Sequence, residues 1–484
     1  RETKATKRGD EPGLTKLQDR SDVGPVSPIS SDRQDGGYVP TVGRWGCEWP
    51  RSLGYGLPVT IRSVVGTSWP DGVTPDDHRG QSRCVADDGA AAELALVSST
   101  RWAAADSYHL RAFDQQNGAW PIRHPLPLPC WSSDAKPRLV VDKVWQYEEL
   151  VAITETVLQR MLEDTFYDTV HNFLDLRESF RRSGGNDLRL FFQNYTPPVN
   201  RRHHMCVSLA MEIVTRLADV LPALAEHLFI VSCEEAVESA DPYISNCQKG
   251  RSLEGVAHTL EKEHALIAVH ISVAGREGLM ILDPGYHVAR AVTVMKDLCY
   301  PHTGWFTQSD EPHCRREYCY SFSTHSTNFV EWSERTTRGS TINHELALIY
   351  VERPYRTAID VTVRRNLVYN FRSLLARNAK GRVCAGIYFP VVPGPEAQLT
   401  LFYDGANSAS VKVKVKFSTF NRRDALKLPE TIAGHVSHLS KQLRMEFGEL
   451  LELLHDLADV VADQDFLQQT LAINETITEM SADN

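Results

Sequence analysis

Cys206, His264 and Asp283 are the residues of this chain whose types and settings could carry out covalent chemistry. A cysteine attacks as its thiolate. That anion is favoured at the start of a helix, where unpaired N–H groups and the helix dipole face it, and beside an imidazolium. Cys206 opens an apolar pattern of helical spacing a few residues after the helix-breaking pair Pro197-Pro198, with Arg201, Arg202, His203 and His204 bringing positive charge close by. His264 heads an Ile- and Val-rich strand pattern, and Asp283 ends the strand that returns from it. Nucleophile, base and orienting carboxylate in this order form the thiol version of an acyl-transfer site. The imidazole takes the thiol proton, and the carboxylate fixes the imidazole's tautomer.

Two roles stay open in the sequence. His270 has the parity of His264, so on a regular strand both point to one face. A turn centred near Arg276 would set Asp283 roughly opposite Val269, which makes His270 the alternative base. The backbone N–H of Cys206 is the default oxyanion donor, with Gln193 or Asn194 as a side-chain addition.

Other chemistries find less support. His302, His313, Cys314, Cys319 and His325 lack the tight ligand pairs of a zinc site, so no metal is expected. They read instead as a loop over the active site, where Trp305, Phe306 and Tyr318 would shape an acyl-acceptor pocket. Neither a phosphate-binding glycine loop nor a serine-hydrolase elbow occurs.

The elements that must position these residues follow from periodicity. Leu150, Val151, Ile153, Val157, Leu158, Met161, Leu162 and Phe166 recur at helical spacing, continued by Val170, Phe173 and Leu174, and this predicts one long or two consecutive helices ending before Ser183-Gly184-Gly185. A second helix is predicted from about Met205 to Leu217. Residues 265–273 and 279–282 read as a β-hairpin, and strands are predicted at 346–351, 357–363, 383–389, 399–403 and 411–417. Long amphipathic helices run from about 429 to 466. In these the leucines between 439 and 460 alternate with acids, as a core helix or partner-helix surface does. The order predicts an α+β fold: an N-terminal helical bundle carrying the Cys helix, an antiparallel sheet or barrel, then C-terminal helices.

Residues 1–135, rich in turn-forming and charged residues, read as a disordered extension; 136–345 would hold the bundle and the Cys-His-Asp core, and 346–484 a β segment and helices. The formal charge of -10 and the absence of long basic runs argue against a nucleic-acid partner. The Arg201-Arg202, Arg364-Arg365 and Arg422-Arg423 pairs read as solvated surface. No apolar run reaches the ~20 residues of a membrane helix. Ten scattered cysteines without a CxxC pair favour a reducing compartment, hence a cytoplasmic location.

The stretches Met205-Cys206-Val207-Ser208-Leu209, His264-Ala265-Leu266-Ile267-Ala268-Val269 and Leu282-Asp283-Pro284-Gly285-Tyr286 resemble the transglutaminase-like superfamily of papain-type folds, and within it the arylamine N-acetyltransferase branch. The resemblance implies a papain-like cysteine fold and an acyl group carried on Cys206 and passed to a small-molecule amine. It implies no tightly bound cofactor, with acyl-coenzyme A as the candidate co-substrate. Acetyltransferases of that branch usually show Arg-Gly-Gly-x-Cys, where this chain has Arg202-His203-His204-Met205-Cys206, and Asp283-Pro284 resembles the transglutaminase form. A transglutaminase- or protease-like thiol enzyme acting on protein amides, or a non-catalytic interaction protein on the same fold, therefore stands as the alternative.

Overall fold

The computed structural model describes residues 125–127, 129–249, 262–394, 396–405, 410–421 and 428–482. Almost all of the N-terminal extension, and Arg422-Arg423, lie outside them. Strand β1 (Leu139–Val141) leads into helix α1 (Val144–Asp164), which buries Leu150, Leu158, Met161 and Leu162 along one stripe. Strand β2 (Phe166–Asp168) and helix α2 (Val170–Ser183) follow, the latter ending on Gly184 at φ 68°. The helical pattern read across residues 150–174 is thus two helices divided by a three-residue strand. Periodicity hides it because Phe166 falls in phase with the apolar stripe of α1.

Helices α3 (Leu188–Asn194), α4 (Cys206–Val220) and α5 (Pro222–Ala225) complete the N-terminal helices. Then come β3 (Phe229–Glu234), α6 (Ala240–Lys249), β4 (His264–Val273), β5 (Arg276–Leu282) and β6 (Val292–Met295). Strands β7 (Phe306–Glu311), β8 (Cys314–Phe322), β9 (Phe329–Arg338) and β10 (Thr341–Tyr350) finish the first sheet. Its order is β6-β5-β4-β3-β10-β9-β8-β7, antiparallel throughout, with β1 added in parallel beside β4. The segment expected to be a loop over the site is therefore largely the β7–β8 hairpin.

β4 is buried on both faces, which explains its near-continuous apolar sequence. Its odd residues Ala265, Ile267, Val269 and Ile271 join the cluster formed with the helices, including Val207 and Leu209 of α4. Its even residues Leu266 and Ala268 join a second cluster that holds Tyr318, Tyr320 and Trp332. The hairpin to β5 turns on Ala274 and Gly275, at φ 49° and 77°, so Val273 pairs with Arg276. Two central residues with positive φ make the tight turn whose twist suits a hairpin.

Residues 357–363, expected as a strand, form instead a π-helical turn (Ala358–Val363) that runs into α7 (Arg364–Val368). Ile359, Val361 and Val363 alternate as a strand would, yet Asp360 and Thr362 between them are equally buried. Burial on all sides removes the wet face on which the alternation argument depends. Arg364 and Arg365, taken as surface, are 0% and 4% exposed.

The second sheet comprises β11 (Phe371–Arg377), β12 (Val383–Pro390), β13 (Gln398–Asp404) and β14 (Ser410–Lys416), with β2 on its other edge. Helices α8 (Glu430–Gln442), α9 (Phe447–Ala462) and α10 (Gln464–Ala482) close the chain. Leu450, Leu453, Leu454 and Leu457 of α9 are core residues. The arrangement is α+β, with both sheets predominantly antiparallel. None of the described helices is long and apolar enough to cross a membrane.

Candidate functional site

Cys206 is the first residue of α4, preceded by the extended Met205 (φ −106°, ψ −175°). The backbone N–H of Met205 donates to Ser208 Oγ at 2.8 Å, which caps the turn. Helix-start amides near Cys206 have no partner within the helix and favour negative charge there. The preceding loop is folded back onto the same helix. Arg201 donates twice to the buried carboxylate of Glu212, at 2.9 Å each, and Arg216 donates to it at 2.7 Å. Cys206 is 2% exposed.

His264 begins β4 opposite Cys233 of β3. Its Nε2 pairs with Asp283 Oδ1 at 2.9 Å, leaving Nδ1 as the ring atom for the Cys206 thiol, with which the imidazole hydrogen-bonds. Asp283 follows β5, and its Oδ1 also accepts the N–H of Tyr286 at 3.0 Å. Both side chains are nearly fully buried. Burial alone would push the imidazole of His264 down, but the Asp283 carboxylate and the Cys206 sulfur outweigh it and hold His264 well above its ordinary value. An imidazole held in its charged form is what a neighbouring thiolate requires.

The register explains why the pair is His264 and Asp283. Ile267 faces Leu282, so Asp283 lies beyond that pair, toward the head of β4. The expected pairing with Val269 is corrected by the tight Ala274-Gly275 turn. His270 lies toward the other end of the strand, stacked on Phe229 at 5.3 Å, and burial lowers its pKa. It does not join the Cys206 group.

Four residues not anticipated from the sequence surround this group. Gly285 packs so closely that an added β-carbon would lie 2.6 Å from His264 Cε1, 3.0 Å from Cys206 Cβ and 3.4 Å from Asp283 Oδ1. Asn366, on α7 just after the π-helical turn, brings Nδ2 to 3.9 Å from Cys206 Sγ while donating to the carbonyls of Glu263 and Thr362, at 2.9 Å each. Burial, then the proximity of Cys206, raises the Tyr167 hydroxyl well above its ordinary value. Arg377 donates to the Pro284 carbonyl at 3.2 Å and to Thr165, tying the Asp283–Gly285 turn to the end of α1. Burial pushes its guanidinium down to about 9. Gly285 was quoted in the sequence motif, but nothing in the sequence marks its contact, and Asn366 is hidden behind an arginine pair that reads as surface.

The remaining expected residues fall elsewhere. Asn194 is exposed and its amide donates to the Leu190 carbonyl at 3.0 Å, with the half-buried Gln193 beside it on α3. His203 and His171 both bond through Nδ1 to one oxygen of Asp168, at 2.9 and 2.6 Å, with their rings stacked at 4.2 Å. These three are the described residues whose ligand atoms could meet at one metal ion, a grouping the sequence did not suggest. Burial pushes His204 down to about 4, so it is neutral and adds no charge beside Cys206. Cys314 and Cys319 lie on β8, and among the described residues no cysteine is bridged.

No protein-family model matches the chain, and no curated protein matches it by sequence. A solved arylamine N-acetyltransferase from Nocardia farcinica superposes with a TM-score of 0.33 at 12% identity, over 72% of this chain and 96% of that one. A likeness of that size assigns neither fold nor activity.

Proposed function

We propose that the protein is a cysteine acyltransferase in which Cys206 is the nucleophile, His264 the acid and base, and Asp283 the orienting carboxylate. The observation that carries this reading is the contact chain from the helix-start sulfur to His264, and from its Nε2 to Asp283 at 2.9 Å. In the first half-reaction the thiolate attacks an acyl carbonyl. The new C–S bond forms, the bond to the leaving group breaks, and imidazolium delivers its proton to that group. In the second, an amine attacks the thioester. The C–N bond forms, the C–S bond breaks, the amine's surplus proton passes to His264 and the thiolate is regenerated. The Cys206 N–H, at the start of α4, suits the developing oxyanion. The Asn366 amide lies beside the sulfur, its Nδ2 held there by the Glu263 and Thr362 carbonyls.

The donor is an activated acyl compound, with acyl-coenzyme A a candidate, and the acceptor a primary amine. Incubation with p-nitrophenyl acetate and, separately, acetyl-coenzyme A followed by intact-mass measurement tests the reading. An acetyl adduct on Cys206 that an amine discharges supports it. No adduct from either donor, or one that survives Cys206→Ser, contradicts it.

A further inference from the structure

A cavity of about 310 Å³ opens beside the site, and Tyr286 and Trp332 both line it. Those two rings are the wall against which His264 rests. Tyr286 meets the imidazole edge-on at 4.7 Å, and Trp332 packs on Tyr286 at 4.6 Å. Moving away from His264 along β9 and β10, the paired residues are Trp332 with Ala347, then Glu334 with Glu345, then Thr336 with Asn343. The first row is aromatic. The second sets two carboxylates directly opposite each other, a cross-strand pairing that is unfavourable without a cation to bridge it.

Glu334 is partly neutralised, with Arg316 3.5 Å away and the Thr336 hydroxyl donating to it at 2.6 Å. Among the described residues neither Glu345 nor Glu235, a third carboxylate on the cavity wall, has an ion-pair partner within 4.0 Å. Glu235 bonds instead to the Tyr286 hydroxyl, and burial raises its pKa. Arg338, also on the wall, belongs two residues further along β9, at the end of the strand. Trp332 is 3% exposed, and its indole N–H has no acceptor among the described residues. Among the described residues the cavity therefore holds one carboxylate, Glu345, with neither an ion pair nor a hydrogen bond, the aromatic residues Tyr286 and Trp332, whose ring type attracts cations, and a buried indole donor with no acceptor.

We propose that this cavity binds a remote, non-reacting part of the substrate: an alkylammonium or guanidinium group with a hydrogen-bond-accepting oxygen near it. The inference rests on reading Cys206 as the nucleophile. The ligand places its reacting end at the sulfur and its cationic end at the Glu334–Glu345 row, so that binding energy from the remote group holds the reacting carbon or nitrogen in position. Nα-acyl lysine and arginine compounds have this chemistry, and neutral alkyl or aryl amines lack it.

Calorimetric titration of the full chain with Nα-acetyl-lysine methylamide and Nα-acetyl-norleucine methylamide tests it, because the two probes differ only in the charged end. The lysine compound should bind about tenfold more tightly, a preference that falls severalfold in Glu345→Gln and shrinks at high salt. Equal affinities overturn the inference, as does a lysine preference unmoved by both Glu345→Gln and Glu235→Gln. Acylation of Cys206 by p-nitrophenyl acetate and, separately, by acetyl-coenzyme A is followed in parallel. Acylation without lysine preference overturns the cavity assignment and leaves the acyl-transfer reading standing. Lysine preference without acylation supports the cavity and overturns that reading.

Discussion

The α-carbon of Gly285 faces the ring of His264 so closely that a β-carbon would sit 2.6 Å from its Cε1. The same β-carbon would press on Cys206 Cβ at 3.0 Å, so room for the Cys206–His264 contact depends on a residue without a side chain. Gly285→Ala should push the imidazole off the sulfur. Thiol alkylation at Cys206 should slow at least about tenfold, while overpacking lowers stability by roughly 1–3 kcal/mol. Alkylation rates and a thermal melt, run on the same sample, check both halves. An unchanged alkylation rate would show that the close approach does not govern the site.

Asn366 provides an isosteric probe of charge at the sulfur. Its Nδ2 lies 3.9 Å from Sγ and is fixed by two carbonyls. Asn366→Asp replaces a donor with a carboxylate at that distance, which disfavours the thiolate. The alkylation profile of Cys206 should move to higher pH in Asn366→Asp and less so in Asn366→Ala. A profile identical in all three proteins would remove Asn366 from the site's electrostatics.

Arg377 is a fully enclosed cation whose partners are the Pro284 carbonyl, Thr165 and the Nδ1 of His287. Arg377→Met should strand those oxygens and cost about 3 kcal/mol. The loss should appear as a lower denaturation midpoint. It should also loosen the Asp283–Gly285 turn, seen as faster amide exchange at Tyr286, whose N–H donates to Asp283.

His204 gives the fold an acid sensitivity. Burial holds its folded pKa near 4, below the ordinary 6.5. As pH falls below 6.5 the unfolded chain takes up a proton that the folded chain refuses, so stability declines down to about pH 4, by roughly 3 kcal/mol in all. Chemical denaturation at several pH values should show a shallower decline over that window in His204→Gln than in the unaltered protein.

What the sequence made legible was what periodicity and polarity encode locally. The Cys206 helix, the β4–β5 hairpin and the strict alternation of 411–417 are short-range patterns, and the structure places a helix or strands there, the last strand ending at Lys416 with Phe417 opening a 3-10 turn. The register between His264 and Asp283 was not legible. It turns on two positive-φ residues, one of them Ala274, that the composition of the turn does not single out. The π-helical turn was also misread, since a segment buried on every side carries no face to mark its period. Asn366, 3.9 Å from the sulfur, and Tyr167, which feels its charge, come from distant parts of the chain, and no spacing rule connects them to Cys206. The candidate site was thus readable in its Cys, His and Asp but not in the residues that surround them.

The contact between Cys206 and His264 is tested most directly by the rate of iodoacetamide alkylation at Cys206 against pH, read by peptide mass. In the unaltered protein Cys206 should react faster than every other cysteine of the chain at about pH 6, where ordinary thiols are protonated. That advantage should vanish in His264→Gln and persist in His270→Gln. Alkylation of Cys206 at pH 6 no faster than the other cysteines, or a fast rate unaffected by His264→Gln, would contradict the account.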